Sequence, residues 1–171
     1  MSAPSVSINP SKNPALAGLY GFFCTTARLL RSPFLLTVRL YWGWQFMQTG
    51  WGKLHNLSHV KDFFASLGIP APGVMAPAIS LLEFAGGILL IVGLGTRLLG
   101  FLLTCNMVVA YISGDLPALK SIFSDPGKFY NADPFTFLFA SLIALIFGAG
   151  LFSLDALIDK IWLNRRGITS A

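Results

Sequence analysis

One carboxylate lies in the middle of a long apolar segment. Glu83 stands near the centre of AISLLEFAGGILLIVGLG, which runs from Ala78 to Gly95 and contains no other ionisable residue. A charge inside a hydrocarbon layer is costly, so an intramembrane carboxylate is either neutralised by a partner or used in chemistry such as proton transfer. The rest of the sequence must therefore contain a residue that neutralises Glu83, or indicate a reaction that uses its carboxylate.

An arginine in an earlier apolar segment is the first candidate partner. On helices, Arg39 shares a face with two glycines and with Lys53, and Glu83 shares a face with Ser80 and other small residues. Small residues allow membrane helices to approach closely. Counted at about 1.5 Å per residue from the predicted helix ends, the depths of Arg39 and Glu83 differ by about 6 Å. We therefore predict a buried ion pair between Arg39 and Glu83.

Such a pair has two interpretations, and both remain open. It can fix the register of two helices, although a buried ion pair is weak evidence for stability. It can instead belong to a polar pocket that binds a quinone or another head group, with Glu83 as the catalytic proton acceptor and Arg39 as its counter-ion. Lys53 and Trp42 complete the candidate ligand-binding set, although Trp42 is favoured as a packing residue.

The composition predicts the surroundings of these residues. Of 171 residues, 54% are hydrophobic and only 11% are charged, and the mean hydropathy is +0.69. Soluble domains have about a quarter charged residues. Long continuous apolar segments favour membrane helices over the short alternating strands of a barrel. The net charge of +5 is spread among these segments, which indicates membrane orientation and anionic lipids rather than nucleic acid.

The apolar pattern predicts an all-α integral membrane four-helix bundle with interfacial N- and C-terminal helices. Pro33 opens the first predicted span, Gly95 alone joins the second to the third, and short amphipathic helices are expected in VKDFFASLGIP and SLDALIDKIWLNRRG. Each span is close to the roughly 20 residues that cross a bilayer. The predicted spans cover residues 34–50, 74–94, 96–113 and 134–152, after a polar tail (1–14) and an interfacial helix (15–30).

Lysine and arginine predict the orientation of these spans, because they are enriched in cytoplasmic loops. The side that would hold both termini is the richer in basic residues, so both termini are predicted to be cytoplasmic. This side carries Lys12, Arg28, Arg31, Arg97, Lys160, Arg165 and Arg166, against Lys53, Lys61, Lys120 and Lys128 on the other.

Metal and thiol chemistry have little support in the sequence. His55 and His59 are spaced for one helical face, but two ligands are too few for a metal site. Cys24 and Cys105 are far apart and form no CxxC motif. We therefore predict no metal site and no covalently bound cofactor.

Four segments of the sequence resemble the DoxX family of small four-helix bacterial membrane proteins. The resemblance covers about residues 35–155 and divides the chain into a cytoplasmic tail with an interfacial helix (1–32), a DoxX-like domain (33–153) and an amphipathic C-terminal segment (154–171). The segments are RLYWGWQFMQTGWGKL from Arg39, LGIP, LLEFAGGILLIVGLGTRLLG from Leu81, and GAGLFSLD ending at Asp155.

The resemblance implies a redox setting in the bacterial inner membrane without naming a reaction. We expect a multi-pass membrane subunit of a redox system, with quinone near Arg39, Lys53, Trp42 and Glu83. The alternative is a non-catalytic accessory subunit of a larger membrane complex. Both imply a lipid bilayer and further membrane or peripheral protein subunits as partners. Transport of a small solute is less favoured, because matching broken helices are not evident.

Overall fold

The structure is a computed structural model that describes residues 14–165, with side chains described for residues 17–162. Over residues 14–165 it contains eight α-helices and no β-strand, which confirms the all-α prediction. The helices are α1 (Pro14–His55), α2 (Leu57–Ser66), α3 (Pro72–Val92), α4 (Thr96–Ser113), α5 (Leu116–Lys120), α6 (Pro126–Tyr130), α7 (Pro134–Phe147) and α8 (Leu154–Arg165).

Two of the described helices are long and apolar enough to cross a membrane. The most apolar windows of α3 and α4 have mean hydropathies of 2.0 and 1.4, and only 33% of each window is buried inside the protein. A core helix of a soluble protein would be mostly covered, so the uncovered apolar surface is what a membrane helix presents to lipid. The predicted four-span bundle remains a prediction for α1 and α7.

The helix that contains the first predicted span begins well before Pro33. Helix α1 is continuous over 42 residues and contains Pro33 in its interior. A proline removes one helical hydrogen bond, but contacts near this point hold the helix on the neighbouring elements. The Arg31 guanidinium lies 5.7 Å from the centre of the Phe147 ring, and Leu35 is buried. The interfacial position predicted for residues 15–30 is untested.

Helix α7 is shorter than predicted, because it ends at Phe147 rather than at Phe152. Gly148 has φ +70° and ψ −159°, and Gly150 also has a positive φ. These glycine conformations stop the helix and turn residues 148–153 back across the end of the bundle. The turn places the carbonyl of Phe152 where it accepts a hydrogen bond from the Arg39 side chain.

Glycines set the packing of the helices in two main pairs. Helix α1 packs chiefly on α3, and α4 packs chiefly on α7. A Cβ at Gly87 would lie 2.5 Å from the carbonyl oxygen of Gly43, and one at Gly100 would lie 2.6 Å from the backbone nitrogen of Leu145. The shared core between the pairs contains Phe46, Leu90, Leu99, Leu103, Met107 and Ala144.

The predicted hairpin between the second and third spans is confirmed. Gly93 adopts a left-handed conformation (φ 76°) and its N–H donates to the carbonyls of Leu89 and Leu90, which ends α3 in a standard way. Gly95 is also left-handed (φ 62°) and precedes the first residue of α4, Thr96. The amphipathic helices predicted around residues 60–70 and 153–167 correspond to α2 and α8.

Candidate functional site

Glu83 lies in a polar centre within the bundle, and its ionic partner is Lys53. The Glu83 side chain is 2% exposed, and Lys53 Nζ donates to both of its carboxylate oxygens at 2.7 Å. Hydrogen bonds between ionised groups are short and strong. The buried charge is thus neutralised by a lysine from the last turns of α1.

Asn106 of α4 completes this centre. Its Nδ2 donates to Glu83 Oε1 at 2.9 Å, so the carboxylate joins α1, α3 and α4. Sequence reasoning missed Asn106, although an amide within the apolar segment LLTCNMVVA is a signal of the kind that links membrane helices. We refer to Lys53, Glu83 and Asn106 as the polar centre.

The two charged members of the polar centre differ in accessibility. The Lys53 side chain is 34% exposed, whereas that of Glu83 is almost fully buried. An ammonium group carries three N–H donors, and two of these are directed at Glu83. The third N–H of Lys53 is free to contact a molecule outside the bundle, and Lys53 therefore links such a molecule to the buried carboxylate. This geometry suits exchange of a proton or a hydrogen bond with a bound molecule.

The predicted pair between Arg39 and Glu83 is wrong, because Arg39 lies at the opposite end of the helix pair. Its guanidinium packs against Gly93, and Nη2 donates to the carbonyl of Phe152. Along the axis of α3, Gly93 lies about 15 Å beyond Glu83, since each residue adds about 1.5 Å. The close approach of Gly43 to Gly87 determines this register, whereas the prediction measured depth from a helix start at Pro33.

Trp42 lies outside the polar centre as well. Its ring packs edge-to-face on Tyr41 and on Phe137 of α7, with ring centres 5.1 and 5.2 Å apart. Trp42 and Lys53 are separated by about 16 Å along α1 at about 1.5 Å per residue. Of the four predicted ligand-binding residues, the structure therefore brings together only Lys53 and Glu83.

Arg39 belongs to a second polar cluster at the other end of the bundle. Arg39 is 2% exposed, and its Nε and Nη1 have no hydrogen-bond partner among the described residues. Nearby, the Asp155 carboxylate accepts from the backbone N–H groups of Gly95 (2.7 Å) and Thr96 (3.0 Å). Asp155 therefore caps the start of α4, where unpaired N–H groups favour negative charge.

The histidines and cysteines form no site in the described part of the chain. The His55 ring packs against that of Trp51, with ring centres 4.1 Å apart and ring planes inclined by 57°. No group of three or more potential metal ligands occurs among residues 14–165. Cys24 and Cys105 are both free thiols.

The uncovered apolar helices and the buried polar centre define a helical membrane protein. Residues 34–115 match the model of the DoxX family. This match confirms the resemblance that the motifs between Arg39 and Gly100 indicate, whereas the fourth motif, which ends at Asp155, lies outside the matched residues. The matched segment contains all three residues of the polar centre.

Two known proteins are similar to this chain over most of their length. "Inner membrane protein YqjF" of Escherichia coli (strain K12) is 27% identical over 130 residues, which cover 75% of this chain and 94% of that protein. "Putative oxidoreductase CatD" of Bacillus subtilis (strain 168) is 29% identical over 125 residues, or 73% and 87% of the two chains. No solved structure gives a significant match.

Proposed function

We propose that this protein is an inner-membrane subunit of a redox system that binds a quinone at the polar centre. The observation that carries the proposal is the pairing of buried Glu83 with the partly exposed Lys53. The relative named "Putative oxidoreductase CatD" supports the redox setting, and the relative named "Inner membrane protein YqjF" supports the location. The proposed architecture is a four-span bundle with both termini in the cytoplasm.

The chemistry of the polar centre fits a quinone head group. Conversion of a quinone to a quinol requires two electrons and two protons. A ring carbonyl accepts a hydrogen bond from the remaining N–H of Lys53. In the direction of quinol oxidation, the Glu83 carboxylate accepts one proton through Lys53 and water accepts the other. A partner subunit accepts the two electrons, and quinone reduction is the reverse of these steps. Asn106 holds the Glu83 carboxylate in place through its bond to Oε1.

Substitution of Glu83 by glutamine tests this proposal. Glu83→Gln keeps the size and a hydrogen-bonding oxygen but removes the proton-accepting group, so quinone-dependent turnover in membranes should fall by about 10²-fold or more. Asp155→Asn is the matched control, because it removes a carboxylate from the second polar cluster. Normal turnover of a correctly inserted Glu83→Gln protein contradicts the proposed role of the polar centre.

A non-catalytic accessory role is the second candidate function. The Glu83 carboxylate accepts from Lys53 and Asn106, as expected of a clamp between helices. The N-terminal half of α1 exposes apolar side chains that a neighbouring subunit could cover, among them Leu19, Tyr20, Phe22 and Phe23. Purification in mild detergent with mass spectrometry of proteins and quinones separates the two functions: co-purifying subunits without quinone favour the accessory role.

The proposed topology has its own test. Fusions of a reporter that fluoresces only in the cytoplasm should be bright at either terminus and dark after residue 122, in the connection between α4 and α7. A bright internal fusion contradicts the arrangement of spans.

A further inference from the structure

A cavity of about 410 Å³ lies at the end of the bundle that holds Arg39. It is formed by the start of α4, the turn that follows α7 and the first turns of α8, and it includes Arg97, Gly148 and Asp159. Its volume falls within the range of about 300–1,000 Å³ that is common for ligand sites. The polar centre lies elsewhere in the bundle, so the cavity is a separate candidate site.

The backbone donors around the cavity already have partners within the chain. The Asp155 carboxylate occupies the N–H groups at the start of α4. The Ser153 hydroxyl accepts from the N–H of Ala156 at 3.1 Å in the first turn of α8. A ligand in this cavity therefore meets side chains rather than free helix termini.

Two exposed side chains of opposite charge remain available in the cavity. Arg97 and Asp159 both line it, and among the described side chains neither forms an ion pair. Thr96 also lines the cavity, is 0% exposed, and its hydroxyl has no hydrogen-bond partner in the described part of the chain. A guanidinium and a carboxylate on the walls of one cavity complement a molecule with one anionic and one cationic group.

Exposed apolar side chains also form part of the cavity wall. Leu98, Phe147 and Ile158 also line it, and all three remain substantially exposed. Beyond them continue the uncovered apolar faces of α4 and α7, which include Phe101 and Ile146. A molecule that fits both the charged side chains and these apolar surfaces has a zwitterionic head and an apolar tail.

We propose that this cavity binds the head group of a zwitterionic phospholipid, with its phosphate at Arg97 and its ammonium group at Asp159. The acyl chains then lie along the apolar faces of α4 and α7. Helix ends of a membrane bundle lie at the level of the lipid head groups, where charged pockets bind specific lipids. This site goes beyond the proposed redox function and does not depend on it.

Competitive lipid binding tests the site. The protein in detergent is mixed with equal amounts of phosphatidylethanolamine and phosphatidylglycerol, and the bound lipids are counted by native mass spectrometry. Wild-type protein should retain phosphatidylethanolamine about two- to five-fold more than phosphatidylglycerol, the range that one exposed ion pair supplies. Asp159→Asn should abolish this preference, and Arg97→Gln should reduce binding of both lipids.

Lys160→Gln is the matched control, because Lys160 follows Asp159 on α8 but does not line the cavity. It should leave the lipid preference unchanged. Equal retention of the two lipids by the wild type, or the same effect from Lys160→Gln as from Asp159→Asn, overturns the proposal. Displacement of half of the bound lipid by an equimolar amount of soluble phosphoethanolamine also overturns it, because the apolar tail then contributes nothing to the affinity. The readout is binding, so its failure is distinguishable from failure of the redox proposal.

Discussion

Substitution of Lys53 by methionine tests whether Lys53 is the partner of Glu83. Lys53→Met keeps the apolar stem but leaves an almost fully buried carboxylate with Asn106 as its remaining donor. Removing one member of a buried ion pair costs about 3–5 kcal/mol. For a protein of this size, each kcal/mol lowers the melting temperature by about 2–4 °C. Lys53→Met should therefore melt roughly 6–20 °C below the wild type.

The reverse substitution should be less damaging, because the two side chains differ in burial. Glu83→Gln leaves an ammonium group on a side chain that is 34% exposed and can turn towards water. The expected cost is about 1.5–3 kcal/mol, the value of hydrogen bonds to a charged group. The double variant Lys53→Met, Glu83→Gln should be more stable than Lys53→Met alone, because the buried charge is then absent.

Thermal unfolding in detergent, combined in double-mutant cycles, measures these differences. The coupling energy of the Lys53–Glu83 cycle must exceed the cost of Glu83→Gln, so it should lie above about 1.5 kcal/mol, in the upper part of the range that is typical of contacting residues. A cycle between Arg39→Gln and Glu83→Gln is the control and should be additive within about 0.5 kcal/mol. Strong coupling of Glu83 to Arg39, or a Glu83→Gln protein less stable than Lys53→Met, would refute the assignment.

Four further substitutions test the packing and the capping of the helices. Gly50→Ala should destabilise the protein by about 1–3 kcal/mol, because the new Cβ overlaps the backbone of α3. Gly52→Ala is the control: its Cβ enters open space and should stabilise α1 by about 0.5–1 kcal/mol. Equal melting temperatures of the two variants would contradict the close packing at Gly50. Gly93→Ala should be worse than Gly50→Ala, because its φ is +76° and the Arg39 guanidinium occupies the position of the new Cβ; wild-type melting would rule out this contact. Asp155→Ala removes the cap of α4 and should cost about 1–2 kcal/mol in denaturant unfolding, and no loss would show that the cap contributes nothing.

The partner of Glu83 illustrates how far sequence reasoning reaches. Arg39 and Lys53 lie on the same face of α1 and are separated by about 21 Å along its axis at about 1.5 Å per residue. Periodicity shows that both face the neighbouring helix, but it leaves the axial position of α3 open. The contacts at Gly43 and Gly50 select one register, and in that register Lys53 reaches Glu83.

Asn106 and the end of α7 are two further features that could not be predicted from the sequence. An asparagine in an apolar helix predicts a polar contact, but its partner depends on how α3 and α4 are rotated about their axes. The end of α7 depends on the backbone conformation of Gly148, which a glycine permits but does not require.

The sequence by itself determined that the chain is helical and apolar, where the hairpin between α3 and α4 turns, and that Glu83 requires a partner. These properties follow from residue types and local periodicity, because burial of backbone and charge is costly wherever it occurs. Only the tertiary structure decided that Lys53 and Asn106 are the partners and that Arg39 lies near Gly93 instead. The physical reason is that side-chain partners depend on the relative translation and rotation of whole helices, which close glycine contacts between distant parts of the chain establish.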